Sequence, residues 1–276
     1  MNRQSPRLKE GSKAALTGRF TPVDFAEILL NVPEGCPVVG GQAVAWWATK
    51  YRIGAGREGQ NEPITSVDID FWGGRDDLHE LARRLGRGVV LPHAYEMTVW
   101  VGAIPLNVQG QKTVVEFLHT IPGLDTNDPN RASVGQDYDV PSGRRVLQFL
   151  SPVSLVLAKL HALRHFDQKE RQDELHLRAS LAASAAFIAQ LLSQKAVREA
   201  LWNAERLIEA HQLKPYAKLA AKCGFEVLSA VPIKRMKQVC RDESFGASDR
   251  KRISNFCNLR WPQVTAGGRR AAIGGR

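Results

Sequence analysis

The chain has 276 residues, of which 43% are hydrophobic, and a formal net charge of +10. Its first twenty residues are polar and rich in Lys/Arg, unlike a signal peptide, and its longest apolar-rich stretch, residues 181–192, is shorter than the roughly 20 residues that span a membrane. We therefore expect a cytoplasmic protein of one large or two modest domains, with no membrane contact. The four cysteines are widely scattered, which does not favour a zinc site.

The first elements lead to a pair of glycines. Residues 1–20 are expected to be disordered, and Thr21 followed by Pro22 is typical of a helix start. Residues 36–39 predict a short strand that ends at Gly40-Gly41, with a helix over 42–51. Glycines after a strand let the backbone approach a phosphate, so Gly40, Gly41 and Gln42 are candidate phosphate ligands. An ordinary strand-to-helix turn is the alternative.

Two aspartates at alternate positions follow a polar loop over 54–63. Alternation along the strand Thr65 to Trp72 places Asp68 and Asp70 on one face, together with Ser66. The two carboxylates repel each other unless a cation lies between them, and Mg²⁺ is bound by one or two carboxylates plus substrate phosphates. This pattern indicates phosphoryl or nucleotidyl transfer, although D-x-D also occurs on exposed edge strands.

A third carboxylate is expected on a later strand. We predict strands over 97–101 and 104–108, joined by a tight connection at Gly102-Ala103, and a further strand over 113–118. Glu116 shares a mostly apolar face of that strand, where an unpaired carboxylate is costly, so metal ligation explains it. A glutamate at a sheet edge that reaches solvent is the alternative.

Residues 122–143 are rich in Pro, Asp, Asn and Gly and predict a long loop, before a last strand over 145–150. The acids of this loop are weaker candidate ligands: Asp125, Asp128, Asp137 and Asp139.

The chain becomes helical after residue 150. Ser151 caps a helix with Pro152 at its first position, and Lys159 lies on that helix between apolar neighbours. Its ammonium either reaches a bound triphosphate or extends to solvent from a packed face. A charged cluster follows, which we interpret as a solvated helix face; its members are Arg164, Lys169, Arg171 and Asp173.

The predicted fold is therefore an α/β (α+β) domain over 21–150, a mixed sheet with flanking helices, followed by an all-helical half over 151–240. Residues 241–276 form a basic tail that we expect to be flexible. From residue 231 onward eleven Lys/Arg stand against three Asp/Glu, so about +8 of the net charge lies there. This charge favours nucleic-acid binding or is a solvated tail.

Together these residues resemble the nucleotidyltransferase superfamily of the DNA polymerase beta type, and most closely the abortive-infection AbiE-type toxin nucleotidyltransferases. The matching residues are Gly40-Gly41, Asp68-Ile69-Asp70, Glu116, Ser151-Pro152 with Lys159, and the segment from Lys169 to Asp173.

The resemblance implies Mg²⁺-dependent transfer of an NMP from an NTP to a hydroxyl of RNA, tRNA included, or of a protein, by the toxin of a toxin–antitoxin pair. Asp68, Asp70 and Glu116 would hold two Mg²⁺ ions, and Glu116 would also accept the acceptor's proton. Lys159 would neutralise charge on the triphosphate. The alternative function is a catalytically inactive protein of the same fold that binds nucleic acid or an antitoxin.

Overall fold

The computed structural model describes residues 18–54, 63–93, 98–124, 127–167 and 172–265. The chain divides after Ala179 into two compact units. The first unit contains the sheet and also the helix that follows Ser151, whereas the predicted domain boundary lies at residue 150.

Six strands form one mixed sheet in the first unit. Their bounds are β1 Val38–Val39, β2 Ile69–Trp72, β3 Trp100–Val108, β4 Gln111–Leu118, β5 Ser133–Val140 and β6 Gly143–Leu150. The order across the sheet is β3-β4-β2-β1-β6-β5. Strand β2 is parallel to β4 and β1 to β6, and the other neighbours are antiparallel. The α/β class that the sequence predicts is thus confirmed.

Helices flank this sheet. In chain order those that begin in the first unit are α1 Ala26–Asn31, α2 Gly40–Tyr51, α3 Arg75–Leu85, α4 Pro129–Ala132, α5 Pro152–His165 and α6 Asp173–Ser193. A 3₁₀ turn, Pro22–Phe25, precedes α1, and the Thr21 backbone N–H donates to the Asp24 carboxylate at 2.7 Å, as in a capping box. Ser151 caps α5 by accepting from the backbone N–H of Ser154 at 3.2 Å.

The apolar core of the first unit follows the alternation of its strands. Ile69 and Phe71 of β2, Val115 and Phe117 of β4 and Phe149 of β6 are fully buried. Buried residues at alternate positions leave the side chains between them on the opposite face, which is how β2 and β4 present carboxylates.

Two parts of the sheet differ from the predicted elements. Strand β5 lies within the predicted loop over 122–143, and the two strands predicted around Gly102 are one strand, β3, with an irregular register there. The turn between β3 and β4 comes instead at Gln109-Gly110.

The second unit is helical. After α6 it contains α7 Val197–Gln212, α8 Lys214–Cys223, α9 Ile233–Val239 and α10 Ala247–Asn255, with a 3₁₀ turn Val227–Ala230 and a π-helical turn Phe256–Arg260. Its core includes Leu207, Ile208 and Met236.

The part of the chain that we expected to be a flexible tail is helical as far as it is described, to residue 265. Phe245, Ile253, Phe256 and Val264 are buried. These apolar residues therefore hold the segment in the second unit. The prediction of a flexible tail was based on the many basic residues around them. Residues 266–276 lie outside the described residues.

Helix α6 is 21 residues long and, by length and composition alone, could cross a membrane. This helix is longer than the apolar stretch over 181–192, from which we predicted a chain without membrane contact. In the structure 61% of the helix's most apolar window is buried inside the protein, which is compatible with a core helix of a soluble protein.

Candidate metal centre

Three carboxylates meet on one face of the neighbouring strands β2 and β4. Asp68 immediately precedes β2, Asp70 lies within it, and Glu116 of β4 pairs in register with Asp70 because the two strands are parallel. One oxygen from each of the three carboxylates lies within 4.8 Å of the others. The structure therefore brings together the three residues that the sequence predicts as metal ligands.

The negative charges of the three carboxylates repel one another, which favours a cation between them. Asp68 is 8% exposed and Glu116 only 3%, so water screens their charges poorly. Two like unit charges 4 Å apart repel by about 4 kcal/mol at an effective dielectric constant of 20. Carboxylate oxygens are the hard ligands that Mg²⁺ and similar ions prefer. The donor set therefore fits a divalent cation, and the triad could hold one.

Gly40 and Gly41 form the first turn of α2, directly after β1, and do not precede the helix as the sequence suggests. Gly40 has a left-handed φ of +63°, and a Cβ at this position would overlap Oδ2 of Asp70 and lie 2.9 Å from its Cγ. A Cβ on Gly41 would overlap Oγ of Ser66. Only glycine permits this close approach of the helix start to the carboxylates.

Gln42 is fixed in the protein interior. Its side chain is 1% exposed, and Nε2 donates to the carbonyl of Phe20 at 3.0 Å. A phosphate contact from Gln42 would therefore have to come from its backbone N–H, one of the unpaired donors at a helix N-terminus.

Ser66, which the sequence only places on the face of the aspartates, orients one of them. Its Oγ donates to Oδ1 of Asp68 at 2.9 Å. Its backbone pairs with that of Phe20 in both directions, at 2.9 and 3.0 Å. The backbone before Asp68 is thus anchored on one side by the N-terminal segment.

Lys159 on α5 forms a buried ion pair. Its Nζ lies 2.8 Å from Oδ1 of Asp173, the first residue of α6. Asp173 is 2% exposed, so our interpretation of it as part of a solvated helix face is wrong. Removing one partner of such a pair typically costs 3–5 kcal/mol, because the other charge is left buried. Arg164 of the same cluster is exposed, and Lys169 and Arg171 lie outside the described residues.

His176, one helical turn after Asp173, is a residue that the sequence analysis missed. Its Nε2 lies 3.1 Å from the carbonyl oxygen of Thr65, and the residue is 5% exposed. Burial, and then the positive charge of Lys159, lower the pKa of His176 to about 4. The i, i+3 spacing from Asp173 is the signal that could have drawn attention to it.

Two of the weaker acidic candidates have local structural contacts, one at a helix start and one on the sheet. Asp128 caps α4 by accepting from the backbone N–H of Asn130 at 3.0 Å. Asp137 pairs with Arg144 at 3.3 Å on the exposed surface of β5 and β6, and Asp139 lies on β5 as well. Asp125 lies outside the described residues.

The fold and the site together define a mixed α/β protein with a carboxylate triad that could hold a metal ion. No family model and no curated protein matches the chain. Among solved structures it is similar to an antigenic nucleotidyltransferase-like protein from Paracoccidioides brasiliensis, with 11% sequence identity and a TM-score of 0.34 over 67% of this chain and 95% of that one. Both values are too low for this likeness to carry a conclusion about function.

Proposed function

We propose that the chain is a divalent-metal-dependent nucleotidyltransferase that transfers an NMP from an NTP to a hydroxyl group and releases pyrophosphate. The observation that carries this proposal is the position of Gly40 against Asp70, which itself pairs in register with Glu116. A triad of carboxylates beside the glycine start of a helix combines ligands for a metal with backbone N–H groups for phosphate.

Each residue has a defined task in this proposal. Asp68, Asp70 and Glu116 would hold Mg²⁺, as one or two ions, and the metal would supply positive charge for the phosphates of the substrate. Asp68 and Asp70 hold the metal, and Glu116 completes the ligand set and accepts the acceptor's proton. Gly40 and Gly41 leave room for the triphosphate. Lys159 contributes positive charge, balanced by Asp173 before substrate binds.

The acceptor is part of the proposal and is supported by charge. From residue 214 to residue 265 eleven Lys/Arg stand against four Asp/Glu, an excess that attracts nucleic acid. RNA is therefore the acceptor we propose first, with a protein hydroxyl second. Toxin activity in the cytoplasm and a cognate antitoxin are proposed from the motif resemblance alone.

A labelling experiment tests the function. Purified protein is incubated with Mg²⁺, each α-labelled NTP in turn, and either cellular RNA or cellular protein. We expect label to enter one acceptor class and to disappear with EDTA. Asp70→Asn should lower the rate by at least about 100-fold, because it removes a charged ligand.

Asp137→Asn is the matched control, because this exposed aspartate lies in the same sheet and pairs with Arg144 on the protein surface. It should keep the wild-type rate within about twofold. Absence of label from both acceptor classes would reject the enzyme and leave the inactive binding protein as the function. Equal rates for the two variants would reject the proposed site.

A further inference from the structure

We propose that His176 is a positioning residue that holds the segment carrying Asp68 in place for metal binding. This inference rests on the proposed function of the carboxylate triad. His176 lies on α6 and is not itself a metal ligand in that proposal.

The hydrogen bond to Thr65 is the first contact that supports the role. A carbonyl oxygen only accepts, so Nε2 of His176 carries the hydrogen and donates to Thr65 at 3.1 Å. Thr65 lies three residues before Asp68, and Ser66 between them donates to the Asp68 carboxylate. The imidazole therefore fixes the backbone from which the orientation of Asp68 follows.

The second contact is with the glycine turn. A Cβ on Gly41 would lie 3.0 Å from Cε1 of His176, so the ring packs directly against the start of α2. The same imidazole thus contacts both segments that flank the triad, the turn at Gly41 and the strand entry at Thr65.

The protonation state suits this task. The lowered pKa keeps the imidazole neutral near pH 7, with Lys159 disfavouring its charged form and Asp173 and Asp68 opposing that effect. A neutral ring keeps one defined N–H, whereas a side chain of the same volume without a donor would leave the partly buried Thr65 carbonyl without this bond. The role therefore requires a donor at the ε position, which glutamine also provides.

The experiment compares His176→Leu, which removes the donor, with His176→Gln, which keeps it. The probe is Mn²⁺, whose binding to the purified full chain is measured by electron paramagnetic resonance without any substrate. Nucleotide transfer is measured in parallel. Leu177→Val, a conservative change at the buried neighbour on the same helix, is the matched control for loss of packing.

We expect His176→Leu to weaken Mn²⁺ binding and slow transfer by about 10-fold or more, the range found for residues that support metal ligands. His176→Gln should recover most of both, and Leu177→Val should lower the melting temperature without changing Mn²⁺ affinity. Wild-type Mn²⁺ affinity in His176→Leu, or a His176→Gln as impaired as His176→Leu, would overturn the inference.

A wild-type measurement keeps the test decisive if His176→Leu does not fold. Long-range ¹H–¹⁵N spectra at pH 7 should show the neutral Nε2–H tautomer of His176; the Nδ1–H tautomer or a doubly protonated ring would overturn the inference. The two proposals also fail separately. If the wild type binds Mn²⁺ but transfers no nucleotide, the proposed function is rejected, and the Mn²⁺ affinities of the variants still decide the role of His176.

Discussion

At the scale of single residues, Gly40 begins α2 with φ at +63° and faces the Asp70 carboxylate so closely that a Cβ would overlap it. We expect Gly40→Ala to displace Asp70 and to reduce nucleotide transfer by about 100-fold, the effect of a 1 Å misplacement in an active site. The backbone strain itself should lower the unfolding free energy by only about 1–2 kcal/mol. Steady-state kinetics and urea denaturation separate the two effects.

Gly86 provides the control for that strain. It ends α3 with φ at +61°, and a Cβ there would meet no atom within 4 Å. Gly86→Ala should therefore cost similar stability while transfer continues at the wild-type rate. Equal loss of activity in both alanine variants would show that strain, and not the displaced carboxylate, is responsible.

His176 makes stability depend on pH. Its pKa is about 4 in the folded protein against 6.5 for an unperturbed histidine, so between these values the unfolded chain binds a proton that the folded chain does not. Stability is therefore lost as the pH falls through 6.5, and the contribution of this residue reaches about 3 kcal/mol near pH 4. Among the charged groups that act on the ring, Lys159 lowers the pKa of His176, and Asp173 and Asp68 raise it.

Urea denaturation between pH 7 and pH 4 measures this contribution, with His176→Gln as the reference because glutamine does not titrate. As the pH falls, the unfolding free energy of the wild type should decrease more than that of His176→Gln. Parallel curves for the two proteins would mean that His176 titrates normally in the folded state.

Residue chemistry explains which part of the site could be predicted. The sequence shows the three acids because they stand beside apolar residues in predicted strands. A carboxylate in such a place is costly unless it is paired or binds a metal, which singles out Asp68, Asp70 and Glu116. A serine before a strand and a histidine in a helix are common, so Ser66 and His176 do not stand out in the sequence. Only the fold shows that Ser66 bonds Asp68 and that His176 bonds the carbonyl of Thr65. Partners distant in sequence leave no local signal.

At the scale of elements, strand β5 was missed because its residues disfavour a strand in isolation. Gly135, Asp137 and Asp139 are poor strand formers, yet β5 pairs along its whole length with β6. Tertiary pairing therefore overrides local propensity here. The predicted strands over 113–118 and 145–150 were found because each is a short apolar-rich run that contains β-branched and aromatic residues.

Tyr138 shows how β5 contributes to the fold. Its side chain is buried, and its hydroxyl donates to the carbonyl of Pro22 at 2.9 Å, which connects the edge strand to the N-terminal turn. We expect Tyr138→Phe to reduce the unfolding free energy by about 1–3 kcal/mol, because the Pro22 carbonyl loses this hydrogen bond. Val146→Ala, an exposed change on neighbouring β6, should stay within about 0.5 kcal/mol. Identical denaturation curves for wild type and Tyr138→Phe would contradict this assignment.

At the scale of the whole molecule, much of the excess positive charge lies on a folded part of the second unit. The segment that was predicted to be a flexible basic tail contains buried Phe245, Ile253 and Phe256. Deleting the chain from residue 244 would therefore remove core residues as well as charges. Its role in RNA binding has to be tested by substitution of exposed residues that leave the core intact.

Lys234, Lys237 and Lys251 are exposed and suit that test. If the second unit holds an RNA acceptor, replacing all three by glutamine should weaken RNA binding. The slope of log K against log salt should fall by roughly 0.7 for each lysine that contacts a phosphate of single-stranded RNA. Arg83→Gln on α3, where the guanidinium already pairs with Glu80, is the control and should leave the slope unchanged. The melting temperature should be the same in all three proteins.

An unchanged salt slope in the triple variant would mean that these lysines are only a solvated surface. The acceptor would then have to be sought on the first unit or among proteins.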